Sequence, residues 1–274
     1  MDTTRDVALR RYYERGEEHA RLDRGASALE FVRTKELVLR HLPEPPCVVA
    51  DIGGGPGRYS LWLAELGYRV HHRDVVPLHV EQMTAAAAGV DAIDTALGDA
   101  RTIDLDDESV DAVLLLGPLY HLSRRDDRLA ALAEARRIVR PGGMIFAAAI
   151  SRWAPRLHSV LAEGLFRVLP ELVDHLPDAE RTGDLRPLFE GSFNGYTHRP
   201  RQLASEVRAA GLDAVDLVNI EGPAALLPDI DVRLGDAVER AVVLDTARAV
   251  ERVPELLGVG PHLLAVGRRP PTAP

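Results

Sequence analysis

The sequence predicts an α/β chain built around a mostly parallel sheet, and three observations predict it. From Cys47 to about Ile150, short apolar runs alternate with amphipathic helical patterns, the order that a parallel sheet with crossover helices requires. The run Val110-Asp111-Ala112-Val113-Leu114-Leu115-Leu116 is almost continuously apolar, as a central strand buried on both faces must be. Val48-Val49-Ala50-Asp51-Ile52 leads directly into Gly53-Gly54-Gly55-Pro56-Gly57-Arg58, which reads as a strand, a glycine loop and the first turn of a helix.

The elements follow in order. Residues ~5–22 and ~27–42 read as two amphipathic helices, stopped by Pro43-Glu44-Pro45-Pro46 because proline cannot continue a helix. They form an N-terminal unit, 1–46, ahead of a core unit, 47–274. The second strand, Tyr68-Arg69-Val70-His71-His72-Arg73, ends at Asp74, and a third closes at Leu97-Gly98-Asp99-Ala100. A helix ends in Arg137-Ile138-Val139-Arg140, followed by a Pro141-Gly142-Gly143 turn and a fifth strand from Met144. Gly211-Leu212 opens a sixth strand at Val215–Ile220, and Pro261–Gly267 is the last. Pro270 to Pro274 reads as a frayed tail. Two insertions interrupt this plan. One, ~152–199, is rich in prolines, and the other, ~223–258, is helical in pattern. Both project from the carboxyl ends of the strands, where ligands of such sheets bind. There they would cap a pocket, with structural packing or a two-fold interface as the alternatives.

The glycine loop points to chemistry. Glycines remove the side chains that would hold a ligand away, so backbone amides at a helix start can close on a nucleotide-like group. A dinucleotide-binding turn counted from Gly53 and Gly55 needs a third glycine at position 58, where Arg58 stands. Asp74 lies twenty-three residues after Asp51, and an acid at that strand tip can accept both hydroxyls of a ribose. Asp99 follows twenty-five residues later. An acid with G-x-G-x-G, a second acid, Gly-Asp and Arg-Pro-Gly-Gly, in this order and spacing, resemble the class I S-adenosylmethionine (SAM)-dependent methyltransferases. The resemblance is specific over ~45–150 and loose elsewhere.

That resemblance implies a seven-stranded, Rossmann-like, mostly parallel sheet with its last strand antiparallel between the fifth and sixth. It also implies N-terminal lid helices and helical cap insertions. It implies SAM as cofactor, with S-adenosyl-L-homocysteine as product. Cofactor binding falls to Asp51, Gly53, Gly54, Gly55 and Gly57 in the loop, to Asp74 and Val75, to Asp99 and Ala100 at the adenine, and to Leu116. On the lid, Arg33 would hold the methionine carboxylate through a bidentate pair, with Tyr12 and Tyr13 nearby.

Methyl transfer from a sulfonium is an in-line displacement in which alignment does most of the work. A general base helps where the acceptor is a hydroxyl or an acidic carbon. The position to inspect follows the fourth strand, Gly117-Pro118-Leu119-Tyr120-His121-Leu122. Relatives that methylate planar nitrogens read Asn/Asp/Ser-Pro-Pro-Tyr/Phe there, and Gly117 and Leu119 depart from that pattern. No carboxylate stands at this strand end, so no catalytic metal is expected. His121 and Tyr120 are the candidate catalytic residues, the alternative being a structural hydrogen bond to the neighbouring loop. His71 and His72 point to opposite faces of their strand and cannot clamp a metal together.

Composition narrows the class. The 274 residues carry a net charge of −9, with arginines interleaved among acids, which argues against a nucleic-acid partner that needs a basic face. No apolar stretch approaches the ~18 residues of a membrane span, and no secretory signal is visible at the N-terminus. A single cysteine, Cys47, suits a reduced cytoplasmic protein. Lys35 is the sole lysine, a coding bias of the actinobacterial kind. The reading is a small-molecule methyltransferase, with bacterial specialised metabolism as its setting. The alternatives are methylation of a peptide or protein side chain, or SAM binding without catalysis. NAD-linked redox chemistry is disfavoured by Arg58 and Asp99.

Overall fold

A computed structural model describes residues 9–14, 16–189 and 192–271. Residues 9–13 are helical, and Gly16, in the left-handed region at φ 73°, leads into a 3-10 turn at Glu17–Asp23. The continuous helix expected over ~5–22 is thus broken at this glycine, the residue that enters such a conformation most cheaply. The start of that expected helix, and residues 272–274 of the expected frayed tail, lie outside the described residues. Helix α1 spans Gly25–Leu39.

The core alternates as expected: β1 Val48–Ile52, α2 Arg58–Glu65, β2 Arg69–Asp74, α3 Pro77–Ala86, β3 Ile93–Leu97 and β4 Val110–Leu115. A single turn, α4 at Pro118–His121, precedes α5 at Arg125–Ile138 and the long β5 at Val139–Ser151. The strands β3-β2-β1-β4-β5 form a parallel sheet in that order. Successive residues of β4 serve opposite sides of it. Val113 and Leu115 pack with Leu132 and Ile138 of α5, while Ala112 and Leu114 pack with Leu37 of α1 and Leu63 of α2. This two-sided burial is why the strand reads as nearly continuous apolar sequence.

Pro141-Gly142-Gly143 does not form a separate turn. The three residues lie inside β5, where the register against β4 slips between Val110–Val139 and Ala112–Met144. Gly142 has φ 84°, and a Cβ on Gly143 would fall 2.6 Å from the Asp111 carbonyl oxygen. The glycines therefore make a bulge rather than a reversal.

The remaining strands complete the sheet. β8 (Asp213–Asn219) pairs antiparallel with the last strand, β9 (His262–Arg268), which also lies antiparallel on β5. This is the expected insertion of the final strand between the fifth and sixth. The first insertion adds a hairpin, β6 (Asp184–Leu185) and β7 (Gly195–His198). β4 ends opposite Ala147, and β7 takes the same edge of β5 beyond it, at Ile150 and Ser151. The insertion also holds a π-helical segment, Pro155–Ala162, and helix α6, Leu172–Thr182, before α7, Pro200–Ala209. The second insertion forms α8, Ile230–Gly235, and α9, Ala237–Val250. Its Ala224, Ile230 and Val243 make a small core with Leu29 of α1.

A buried ion pair ties the first insertion to the sheet. Arg128 of α5 donates through Nε and Nη2 to Glu206 of α7 at 2.9 and 2.7 Å, with both side chains 1% exposed. Its Nη1 donates to the carbonyls of Leu122 and Ser123, 2.9 and 2.8 Å away, and its guanidinium stacks 3.8 Å from the Tyr196 ring centre. Burial pushes the Glu206 carboxyl up, but the hydrogen bonds from Arg128 and His198 outweigh it and hold the group down at about 2.

Arg128→Met would leave the buried Glu206 carboxylate with His198 as its remaining partner, at an expected cost of about 3–5 kcal/mol at pH 7, measured by urea unfolding. A depressed carboxyl contributes stability above its unfolded pKa of about 4.3 and loses it as pH falls toward 2. The deficit of the variant should therefore shrink across that window as Glu206 is protonated in both proteins.

Candidate active site

The carboxyl ends of β1, β2 and β4 open into a cleft roofed by the 3-10 turn and the helical residues before it. Asp51 ends up 1% exposed there because β1 is central and its tip lies beneath the glycine loop. Oδ2 accepts from Ser60 Oγ at 2.7 Å, while Oδ1 is buried without a protein partner among the described residues. Burial pushes Asp51 above its usual range, against the opposing pull of His72 and Ser60.

Glycine is required in the loop for two different reasons. At Gly57, φ is 90° and a Cβ would fall 1.7 Å from the Met83 sulfur, so helix α3 can approach only a bare backbone. At Gly55, φ is 59°, and a Cβ would project into the cleft, meeting nothing closer than Glu18 Cγ at 3.9 Å. The space above Gly55 is ligand space. Together with the orphaned Asp51 oxygen, it fits the cofactor that the sequence resemblance implies.

Asp74 at the tip of β2 is pinned by backbone. Its Oδ2 accepts from Gly55 N–H and its Oδ1 from Val76 N–H, each at 2.8 Å, and His79 Nδ1 lies 3.2 Å from Oδ1. Burial raises this carboxyl, yet His79 and the two amides hold it below its ordinary value. It remains an anion whose spare lone pairs can accept two hydroxyls. Asp99 is clamped by Arg101, whose Nε and Nη2 donate at 3.0 and 2.6 Å and whose backbone N–H donates at 2.8 Å. Burial of Asp99 is likewise outweighed, here by Arg101. Gly53, Gly54, Val75, Ala100, Leu116, Tyr120 and His121 complete the expected residues that line the cleft.

Two expected cofactor residues do not line it. Gly57 faces Met83, as above. Arg33 is fully buried: its Nη2 donates to Glu251 at 2.5 Å, its Nε to the Ile220 carbonyl at 3.2 Å, and its Nη1 pairs with Glu36. Leu29, Arg33 and Leu37 lie at i, i+4 and i+8 of α1, so they share the face that packs into the molecule. That spacing was the available signal. Three arginines do line the cleft: Arg101 clamps Asp99, Arg58 at the start of α2 pairs with Asp23, and the third is Arg21, from the 3-10 turn. It donates to Glu18 at 2.7 Å and to both oxygens of Glu30 at 2.6 and 3.2 Å. No periodicity marks Arg21, because a 3-10 turn after a glycine break has no helical face to read.

His121 and Tyr120 sit on α4, held by Pro118 at the first turn. His121 Nε2 shares a 2.8 Å hydrogen bond with the Tyr13 hydroxyl, while Nδ1 is buried without a partner among the described residues. Burial lowers His121 to about 4 and raises both Tyr13 and Tyr120. Near neutral pH the cluster is thus an uncharged imidazole between two phenols, and the imidazole is its proton acceptor. His71 and His72 do not face each other: His71 Nδ1 meets Asp94, and His72 bridges Thr95 and the Gly55 carbonyl.

Among the described residues, the group with metal-ligand spacing is Glu30, Glu221 and His262. Glu30 lines the cleft, Glu221 follows the end of β8 and His262 opens β9, and none of the three belongs to the end of β4 that the sequence analysis inspected. His262 Nδ1 is 2.5 Å from Glu221 Oε1, and Glu30 is paired with Arg21.

Comparison with known proteins agrees with this geometry. Residues 50–147 match the family model described as a methyltransferase domain. The chain is 30% identical to the ubiquinone/menaquinone biosynthesis C-methyltransferase of Acidiphilium cryptum over 200 residues, 70% of this chain and 77% of that protein. Among solved structures, a SAM-dependent methyltransferase of Methanosarcina mazei superposes with a TM-score of 0.57 at 16% identity, covering 86% of this chain and 97% of that one. The geranyl diphosphate C-methyltransferase of Streptomyces coelicolor, solved with S-adenosyl-L-homocysteine, does so at 0.54 and 14% identity, covering 86% and 78%. The chain belongs to the class I SAM-dependent methyltransferases and takes its methyl group from SAM.

Proposed function

We propose that the enzyme methylates a small organic molecule in the cleft below its N-terminal roof. The observation that carries this reading is the side-chain-lined, roofed cleft over the ends of β1 and β4, which suits a small acceptor rather than a folded macromolecule. The similarity to methyltransferases named for a quinone and for geranyl diphosphate supports the same class. A bacterial specialised pathway in the cytoplasm is our setting for it, supported by the coding bias and the single cysteine, which is free.

When bound, SAM supplies a methyl carbon already activated by its sulfonium charge. We assign Asp74 to the ribose hydroxyls, and Asp99 with Ala100 to the adenine edge. Gly53 to Gly55 give close backbone approach. Arg21, with Glu18 and Glu30 beside it, presents opposite charges to the carboxylate and ammonium of the methionine end. His121, an uncharged imidazole, is the group we assign to receive an acceptor proton. Tyr120 lines the same space as a phenol.

Two measurements test this. In calorimetry, Arg21→Met should weaken SAM binding about tenfold or more, the worth of a charge-assisted hydrogen bond. Arg33→Met should leave SAM affinity within about twofold while lowering the urea midpoint, because it takes the buried cation from Glu251 and leaves that carboxylate to the more exposed Arg40 and Arg252. The reverse pattern would return the carboxylate role to Arg33. Separately, methyl-labelled SAM incubated with the protein and a bacterial extract should place label in small, extractable compounds. Label confined to macromolecules, or binding of NAD without SAM, would overturn the proposed function.

A further inference from the structure

Beside the cleft lies a second cavity of about 410 Å³, within the range of small-molecule sites. The first insertion builds most of it. Leu165, Leu172, Leu176, Leu188 and Phe189 line it, and Ile150 at the end of β5 forms its floor. Its wall toward the cleft is a layer of rings, some facing each side. Tyr12 and Phe193 face this cavity, and Tyr13 and His121 face the cleft. The rings touch across the layer, with centres 5.1 Å apart for Tyr12–Tyr13 and 5.6 Å for His121–Phe193.

The lining also carries Asp184, Asp178 and Arg186, the arginine pairing with the two acids at 3.6 and 3.7 Å, and a further ionic group stands where the cavity meets the cleft. His262, at the start of β9, lines the apolar cavity, and its Nδ1 faces two buried carboxylates. Glu221 Oε1 is 2.5 Å away, and Glu30 Oε2, which belongs to the cleft, is 3.8 Å away. Among the described residues, Nε2 has no protein partner. Burial alone would lower this imidazole, but Glu30 and Glu221 push it up to about 9. The apolar chamber therefore holds a cationic N–H donor where it adjoins the cleft.

We infer that this cavity holds the body of the acceptor, a mostly apolar small molecule with an anionic group that binds His262 Nε2 where the chamber adjoins the cleft. The inference rests on the function proposed above. An apolar wall recognises the body of such a molecule by burial. A charged donor held by two carboxylates selects its anionic end. The anionic group anchors the acceptor, and a separate hydroxyl or acidic carbon of the same molecule reacts. Its proton passes to His121, its electron pair forms the new bond to the methyl carbon, and the pair of the broken carbon–sulfur bond stays on sulfur.

The test uses two fluorescent probes with the same kind of aromatic body. 8-Anilinonaphthalene-1-sulfonate is an anion, and N-phenyl-1-naphthylamine is neutral. Both should bind the folded protein at one site. Leu176→Trp or Ala154→Phe, each filling the chamber, should abolish both signals. His262→Gln should weaken the anionic probe about tenfold or more and leave the neutral one within about twofold. Circular dichroism confirms folding, and either chamber-filling variant suffices if the other does not fold. SAM affinity, titrated in parallel, should stay within about twofold throughout. Probe binding that survives both chamber-filling variants, or equal effects of His262→Gln on both probes, would overturn the inference. Failure of the wild-type protein to bind SAM would instead overturn the function on which it rests.

Discussion

The pair Arg128–Glu206 is the joint on which the upper half of the molecule depends. Removing two charges from water costs several kcal/mol per ion unless hydrogen bonds offset it, and here four do. Arg128 spends its donors on Glu206 and on the Leu122 and Ser123 carbonyls. It thereby holds the segment after His121 while α7 is held through Glu206. The guanidinium lies over the ring of Tyr196 in β7, and His198 of the same strand reaches Glu206 at 3.2 Å. One cation thus joins the loop after β4, the hairpin of the first insertion and the helix that follows it. A second buried pair, Arg33–Glu251, does the same for the N-terminal helix and the end of the second insertion.

The consequence is a site whose floor and roof come from different parts of the chain. The floor is the sheet edge, with Asp51, Asp74 and the glycine loop set by β1 and β2. The roof is the N-terminal segment, locked by Arg21 to Glu30 and by Tyr13 to His121. Electrostatics is distributed to match. Near pH 7, Asp74 and Asp99 are anions and His121 is neutral, because backbone donors and Arg101 surround the acids and burial surrounds the imidazole. His262 lies in the opposite situation, between two carboxylates, and is the positive group at the boundary of the two cavities.

Some of this was legible residue by residue. The glycine loop, the acid at the tip of β2 and the two-sided burial of β4 are local patterns, and each has one structural meaning in a parallel sheet. Arg33 shows where that legibility stops. An arginine on a lid helix reads as a ligand group, but its spacing with Leu29 and Leu37 turns it inward. Arg21 takes the cleft from a short turn that no periodicity announces. Pro141-Gly142-Gly143 reads as a reversal and is a bulge, because the partner strand lets β5 continue through it. His262 had no motif at all; Glu30 and Glu221, distant in sequence, make it a cation.

The sequence by itself determined the succession of strands and helices in the core, the strand-end acids and the glycine loop, because strand periodicity and glycine geometry act over a few residues. It also determined the cofactor class, through the spacing of those motifs. Only the tertiary structure decided which arginines meet the cleft, where the first insertion encloses its apolar cavity, and which histidine is charged. Those outcomes depend on burial and on Coulomb interactions between residues far apart in the chain, and neither leaves a local mark in the sequence.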